Sequence, residues 1–281
     1  MIDLHTHSSR SDGSDPPERI PELAARAGCT AVALTDHDRL DGVDAARCRG
    51  QELGIEVVGG CEVSCTTAFG TLHLLAYFVE EDDGPLHSEL ERLQRWRSER
   101  NARLAARLAE LGLPVSLEEM EAEAGGVGVG RPHVAAILAR KGIVSSIQEA
   151  FDEWLGDGRP AHVERPRLGV AEAIRLVRAS GGVAVIAHPL SLRLEPRQLD
   201  QAVQEMAAEG IAGLEAIYGR YTAAEREMLS ALAVRHDLVV TGGSDYHGTY
   251  KPDLQVGVGR GDLVVPAGVL SDLDARRPSP V

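Results

Sequence analysis

The chain opens "MIDLHTHSSRSDGSD" (residues 1–15), a short apolar strand that runs into two histidines and, one loop later, a carboxylate. Residues two apart on a strand point to the same side. His5 and His7 therefore present their rings together, with Asp12 in the turn that follows. The further strand candidates are "AVALT" (31–35), "IEVVGG" (55–60), "TLHLLAYFV" (71–79), "VAVIAH" (183–188), "AGLEAI" (212–217) and "LVVTGG" (238–243). Polar ligand-type residues punctuate them in the same way: His37 in "LTDHD", Glu62 in "GGCEVS", His73 in "TLHLL", His188 in "VIAHP", and Asp245 with His247 in "GGSDYHG".

Alanine-rich helical patterns separate most of these strands. In "DPPERIPELAARAG" (15–28), Asp15 is placed to cap, Pro16 and Pro17 suit a first turn, and Ile20, Leu23, Ala24 and Ala27 share one face before Gly28 ends the helix. This alternation predicts an α/β chain built on a parallel, helix-covered sheet or barrel. In such folds the carboxyl ends of the strands converge on one rim, where sites are built. Nine imidazoles and carboxylates on one rim would repel or go unsatisfied unless cations gathered them, and divalent metals suit that donor set.

From about Pro85 to Pro166 the alternation stops and only helical patterns remain, closed by the irregular "GDGRPAHVERPRLG" (156–169). The expected organisation is a first barrel segment (1–84), a small helical insertion that covers the substrate (85–166), a second barrel segment (167–270) and a tail (271–281).

The bulk numbers narrow the function classes. The net charge of −14 excludes a general nucleic-acid coat, and no stable binding of duplex nucleic acid is expected. No apolar run approaches the roughly 18 residues a membrane span needs, and the N-terminus has no signal-peptide pattern. Cys29, Cys48, Cys61 and Cys65 show no zinc-knuckle spacing and read as reduced thiols. A cytoplasmic protein without membrane partners is expected.

The ordered set "DLHTHSSRSDG", "ALTDHD", "GGCEVS", "TLHLLAY", "IAHP" and "GGSDYHG" resembles the polymerase and histidinol phosphatase (PHP) family, metal-dependent phosphoesterases on a distorted seven-stranded (β/α) barrel. The helical insertion with "GRPHVA" further resembles a subgroup acting on nucleoside 3′,5′-bisphosphates or the 5′ ends of short RNAs. The resemblance implies two or three divalent ions, Mn²⁺ favoured, with Fe²⁺, Zn²⁺ or Mg²⁺ as alternatives. His5, His7, Glu62 and Asp245 would hold the first. Glu62 would bridge to a second held by His73 and His188, and Asp12, His37 and His247 would hold a third. The nucleophile would be a metal-bound water, with Asp36 or Asp38 orienting a ring from behind.

Selectivity must come from other residues. Arg131 and His133 open a helix, where free N–H groups favour an anion. Arg97 and Asn101 interrupt the apolar stripe of Leu90, Leu93, Leu104, Leu108 and Leu111, and Arg193 follows His188 closely. These five residues are the substrate-binding candidates, with Lys141 a helix-end cation. His87, His162 and His236 are expected to be structural or at the surface, and Trp96 and Trp154 to pack in the insertion or cover a base. The leading expectation is a phosphatase of small nucleotides, 3′,5′-bisphosphates favoured. The alternatives are a 5′→3′ exoribonuclease on short RNA, a histidinol-phosphate phosphatase, or a metal-stabilised interaction module with no activity.

Overall fold

The computed structural model describes residues 1–81, 84–125 and 128–279. In chain order the elements are β1 (Ile2–Asp3), α1 (Arg19–Arg26), β2 (Ala31–Leu34), α2 (Val43–Leu53), β3 (Glu56–Thr67), β4 (Gly70–Tyr77), α3 (Pro85–Glu110), α4 (Leu117–Glu123), α5 (Arg131–Arg140) and α6 (Ile147–Ala150). A π-helical turn (Phe151–Leu155) follows, then β5 (Leu168–Gly169), α7 (Val170–Ala179), β6 (Val183–Ile186), α8 (Pro196–Ala208), β7 (Gly213–Tyr218), α9 (Ala223–Arg235), β8 (Val239–Gly243) and α10 (Gly268–Asp274).

Seven strands pair in the order β1-β2-β3-β4-β6-β7-β8, with the short β5 added beside β3. The ends of this path meet: the Leu4 amide donates to the Gly242 carbonyl at 3.2 Å, the Asp245 amide to His5 at 2.8 Å and the His7 amide to Tyr246 at 2.9 Å. The result is a nearly closed seven-stranded barrel. Side chains alternate across its wall as the two-residue period requires. Ala31, Ala33, Val183 and Val185 join an inner cluster that α10 plugs with Val269 and Leu273. Val32 and Leu34 pack outward under α1 with Ile20 and Ala24, and Ala184 and Ile186 pack outward with α7 and α8.

The expectation of a parallel sheet fails at one strand. β4 runs antiparallel to both β3 and β6. The first part of β3 pairs in parallel with β2 up to Gly59, and the remainder pairs with β4 from Gly60 onward. The bend is possible because a Cβ at Gly60 would run into the Ala76 carbonyl. The helix before β2 also starts later than the sequence suggested. Asp15 accepts the Tyr246 hydroxyl at 2.6 Å instead of capping, and Pro16 and Pro17 form a turn ahead of Arg19.

Between residues 85 and 166 the described residues form helices and loops without a strand. The expected boundary at residue 85 does not coincide with a change of core. Leu86, Leu90 and Leu93 of α3 pack into the outer barrel cluster. Leu104 and Leu108 of the same helix pack with α4, α5 and the π-helical turn in a separate cluster. Helix α10 likewise shortens the expected tail, since Leu273 is fully buried. The last two residues of that tail lie outside the described residues. All four cysteines are free. Among the described residues no helix is long and apolar enough to cross a membrane.

Candidate metal centre

The rim is assembled at the seam where β1 meets β8. Close approach there depends on Gly243, whose Cβ would collide with His5. Buried Asp3 stitches the seam from below, accepting the amides of His5 (3.2 Å), Ser244 (2.9 Å) and Gly257 (2.7 Å). The Tyr77 hydroxyl donates to the Leu4 carbonyl at 2.7 Å. Backbone bonds between Asp38 and Glu62 (3.0 Å) and between Glu62 and Asp36 (3.1 Å) bring the ends of β2 and β3 to the same rim.

Four side-chain atoms then converge. Nε2 of His5 and Nε2 of His7 face each other at 3.1 Å. Glu62 Oε2 lies 3.4 and 3.2 Å from them, and Asp245 Oδ1 lies 3.5 and 3.4 Å away. A cation bound at about 2.1 Å to tetrahedral ligands holds them about 3.4 Å apart, and His5, His7 and Asp245, at 3.1 to 3.5 Å from one another, form a candidate cluster of that spacing.

A second convergence is centred on Glu62 Oε1, which lies 2.8 Å from both His73 Nδ1 and His188 Nε2. The third brings His247 Nε2 to 3.4 Å and His37 Nε2 to 3.6 Å from the Asp12 carboxylate, with His7 Nδ1 at 3.7 Å. His7, Asp12, His37 and His247 thus form one candidate cluster. His37 Nδ1 is buried without a hydrogen bond and points at Glu62 Oε2, 3.1 Å away. The structure brings all nine expected ligand candidates together, and their donor atoms suit two or three divalent ions.

The electrostatics have the same origin. Burial disfavours charge on His7, yet Asp245 and Glu62 outweigh it and hold the ring at about 9. Burial opposes the charge of Asp245 as well, but Lys251, His247 and His5 hold its carboxyl well below the usual range. Burial pushes His37 down to about 3 against the pull of Glu62 and Asp12. The carboxyls of Asp12, Glu62 and Asp245 are held low here, while burial and neighbouring charge move the imidazoles of His7 and His37 in opposite directions.

Supporting groups that the sequence reading missed hold this rim. Glu215 accepts from His5 Nδ1 at 2.8 Å and from the His188 backbone amide at 2.7 Å, which fixes the His5 ring and the main chain from which His188 extends. Such partners set tautomer and basicity. The Tyr218 hydroxyl donates to Asp245 Oδ2 at 2.7 Å, and Lys251 pairs with the same oxygen. Lys251 carried a signal, since the chain contains only Lys141 and Lys251 and the latter follows the last ligand motif. Glu215 is the one carboxylate of an apolar strand, and its complete burial emerges only in the structure.

Other candidates land differently. Asp36 does not orient His37. Its carboxylate accepts Ser8 and Ser11, at 2.6 and 2.5 Å from their hydroxyls, and it reaches the rim only through Ser11, 3.5 Å from His7 Nδ1. Asp38 faces away from the rings and binds Arg97 (2.8 Å) and Arg165 (3.1 Å). Arg131 and Arg97 line a cleft with Asp12, His37, His73 and His247. His133 lies beneath, its Nδ1 accepting the Gly130 amide at 2.9 Å, so it caps α5 rather than facing that cleft. Asn101 is buried and donates to the Val129 carbonyl at 3.0 Å. Arg193 lines an adjoining cleft beyond Arg131. Lys141 pairs with Glu119 at 2.6 Å, away from the site. His162, expected to be structural or at the surface, pairs with Asp157 at 3.4 Å and lines the arginine cleft. Trp96 packs on the barrel cluster and Trp154 in the insertion cluster.

The model of the PHP domain matches residues 3–110. Over 245 residues the chain is 31% identical to a 5′-3′ exoribonuclease of Haemophilus influenzae, covering 87% of this chain and 89% of that one. Over 254 residues it is 33% identical to a phosphoribosyl 1,2-cyclic phosphate 1,2-diphosphodiesterase of Eggerthella lenta, covering 88% and 94%. The chain belongs to the PHP domain family. A 3′,5′-nucleoside bisphosphate phosphatase of Chromobacterium violaceum is 28% identical over 247 residues, covering 88% and 87%. In three dimensions, a Bifidobacterium adolescentis structure provisionally described as a metal-dependent phosphoesterase superposes with a TM-score of 0.86 at 30% identity, covering 98% and 96%. These PHP relatives are all named for cleavage of phosphate esters, and the site described above has the donors for that chemistry.

Proposed function

We propose that this PHP-family phosphoesterase hydrolyses phosphate monoesters of small nucleotides, with nucleoside 3′,5′-bisphosphates as preferred substrates. The observation that carries the reading is that candidate metal-holding groups and guanidinium groups line one cleft: Asp12, His37, His73 and His247 together with Arg97 and Arg131. His5, His7, Glu62 and Asp245 are assigned to one cation, Glu62 with His73 and His188 to another, and Asp12, His37 and His247 to a third. Bound divalent ions supply Lewis-acid neutralisation of phosphoryl oxygens and a water nucleophile at neutral pH. Carboxylates mixed with imidazoles favour Mn²⁺, Fe²⁺ or Mg²⁺ over an all-soft site.

The chain's own groups do the rest. Glu215 keeps the His5 ring turned to the rim. Tyr218 and Lys251 hold Asp245 in one orientation, and Lys251 also faces the cleft as a cation for a phosphoryl oxygen. Arg131, fixed by the Leu155 carbonyl (3.1 Å) and Asp157 (2.9 Å), offers its remaining N–H groups to a phosphate. The helical segment 85–166 serves as the substrate cover. Ser11 is no candidate nucleophile, because its hydroxyl is committed to Asp36.

One observation favours a second reading. Arg131 and Phe151 line both this cleft and the adjoining one, which continues along Phe69, Arg159 and Arg193. A groove with arginines and aromatic rings suits a short RNA 5′ end. The deciding measurement is phosphate or nucleotide release by Mn²⁺-loaded protein from adenosine 3′,5′-bisphosphate, a 5′-phosphorylated trinucleotide and histidinol phosphate. Fast turnover of the bisphosphate supports the first reading, and preference for the trinucleotide supports the second. Turnover of histidinol phosphate alone overturns both.

A further inference from the structure

The first cluster of the rim is braced from within the barrel: Glu215 holds His5, while Tyr218 and Lys251 hold Asp245. Asp12 is different. It stands on a loop and faces the rings of His7, His37 and His247. Apart from those rings, the one donor to its carboxylate among the described residues is the Ser11 hydroxyl, at 3.4 Å. That hydroxyl is already given to Asp36 at 2.5 Å. A binding group needs its neighbours to hold it within about 0.5 Å of the productive geometry, and the barrel does little of this for Asp12.

What stands against Asp12 is the helical insertion. Gly128 and Gly130, in the segment that leads into α5, lie directly on the loop 10–12. A Cβ at Gly128 would run into the carbonyls of Arg10 and Ser11. One at Gly130 would lie 3.1 Å from Cβ of Asp12 and 3.3 Å from its Oδ2. The backbone at Gly130 is extended, with φ −120° and ψ 171°, a conformation open to any residue. Glycine serves the close approach there, not the backbone path. The segment is itself pinned by two helices of the insertion. Asn101 of α3 donates to the Val129 carbonyl at 3.0 Å, and Nδ1 of His133 in α5 accepts the Gly130 amide at 2.9 Å. Both side chains are buried. The His133 ring in turn packs edge-on against Tyr250, 4.9 Å between centres, three residues beyond His247.

We infer that the insertion is a working part of the third cation site. Gly128 and Gly130 let the backbone of 128–130 form a seat against Asp12, and Asn101 and His133 are positioning residues that hold the seat in place. Binding of the third ion is thereby conditional on a docked insertion, whereas the two ions that share Glu62 are held by groups of the barrel alone. This rests on the assignment of Asp12, His37 and His247 to one cation made above. It also gives the motif "GVGRPH" (128–133) a role besides placing Arg131 at the cleft.

The test is a Mn²⁺ titration by equilibrium dialysis, without substrate, of the native protein, Asp12→Asn, Gly130→Val and Asn101→Ala, with thermal midpoints recorded in parallel. Three binding steps are expected in the native protein, and Asp12→Asn should weaken the weakest of them about tenfold or more. Gly130→Val puts a branched side chain against Asp12, and Asn101→Ala frees the segment without adding bulk. Each should weaken that same step about tenfold and leave the two tighter steps within about twofold. Combining Gly130→Val with Asp12→Asn should add no further loss, because both act on one ligand. A lower midpoint with all three steps unchanged in Gly130→Val and Asn101→Ala means that the contact only packs, and overturns the inference. Equal weakening of all three steps, or additive losses in the double variant, overturns it as well. A native protein without a third step, or an Asp12→Asn protein that titrates like the native one, removes the third-site assignment and the inference with it. The titration needs no turnover, so it decides the role of the seat whether or not any phosphate ester is hydrolysed.

Discussion

At the scale of single residues, the rim divides into groups that face the shared space and groups that hold them. Asp245 touches both classes: its Oδ1 faces His5 and His7, while Oδ2 is held by Tyr218 and Lys251. Asp245→Asn keeps the shape and the Tyr218 contact but removes the charge. Its kcat should fall at least about 100-fold, since the loss of mere supporting partners already costs about 10–100-fold. Metal content by elemental analysis should fall with it, and retained turnover would remove Asp245 from the site. Glu215 gives a subtler case. Glu215→Gln should weaken metal affinity about 10–100-fold, measured by chelator competition, and excess Mn²⁺ should restore most of the rate. The nine rim residues were legible in the sequence because eight of them end or interrupt an apolar strand and Asp12 follows in the first loop. Glu215 was not, because a carboxylate flanked by Leu214 and Ala216 looks like any polar position on a strand until its complete burial is seen.

At the scale of elements, one buried carboxylate helps tie the barrel to the cover. Asp38, in the left-handed region at φ 55°, accepts the Ser64 amide at 2.8 Å, and its carboxylate binds Arg97 from α3 and Arg165 from the segment leading to β5. Breaking a buried ion pair by removing one partner costs about 3–5 kcal/mol. Asp38→Asn should therefore destabilise the protein by about 3 kcal/mol in urea denaturation, whereas Asp41→Asn, at a half-exposed pair with Arg39, should change stability by less than about 1 kcal/mol. Helix periodicity located α3 and its apolar stripe, and Arg97 stood out as an interruption. Arg165 and Arg167 did not, because the irregular "ERPRLG" offers no period against which a residue can look misplaced. The antiparallel course of β4 escaped the sequence reading for a related reason. Strand direction follows from the connection, and the two-residue turn between Thr67 and Gly70 was concealed within what looked like two separate strands.

At the scale of the whole molecule, cations should contribute stability as well as chemistry. The converging histidines and carboxylates gain a counter-charge only in the folded state, so removing it shifts the folding equilibrium. A ligand present at a hundredfold its dissociation constant contributes about 2.7 kcal/mol. Excess EDTA should thus abolish phosphate release and lower the thermal midpoint by about 5 °C or more, with Mn²⁺ reversing both. Full activity in excess chelator would overturn the mechanism. The closure of the barrel has a further consequence, for how the enzyme comes into being. Its seam joins His5 and His7 at one end of the chain to Asp245 and His247 near the other. Throughout synthesis the first histidines must wait without their partners, and a nascent chain halted anywhere before residue 245 has an incomplete rim. The cluster of His5, His7 and Asp245 is complete only once residue 245 has been made, so the act that completes the barrel is also the act that completes this cluster.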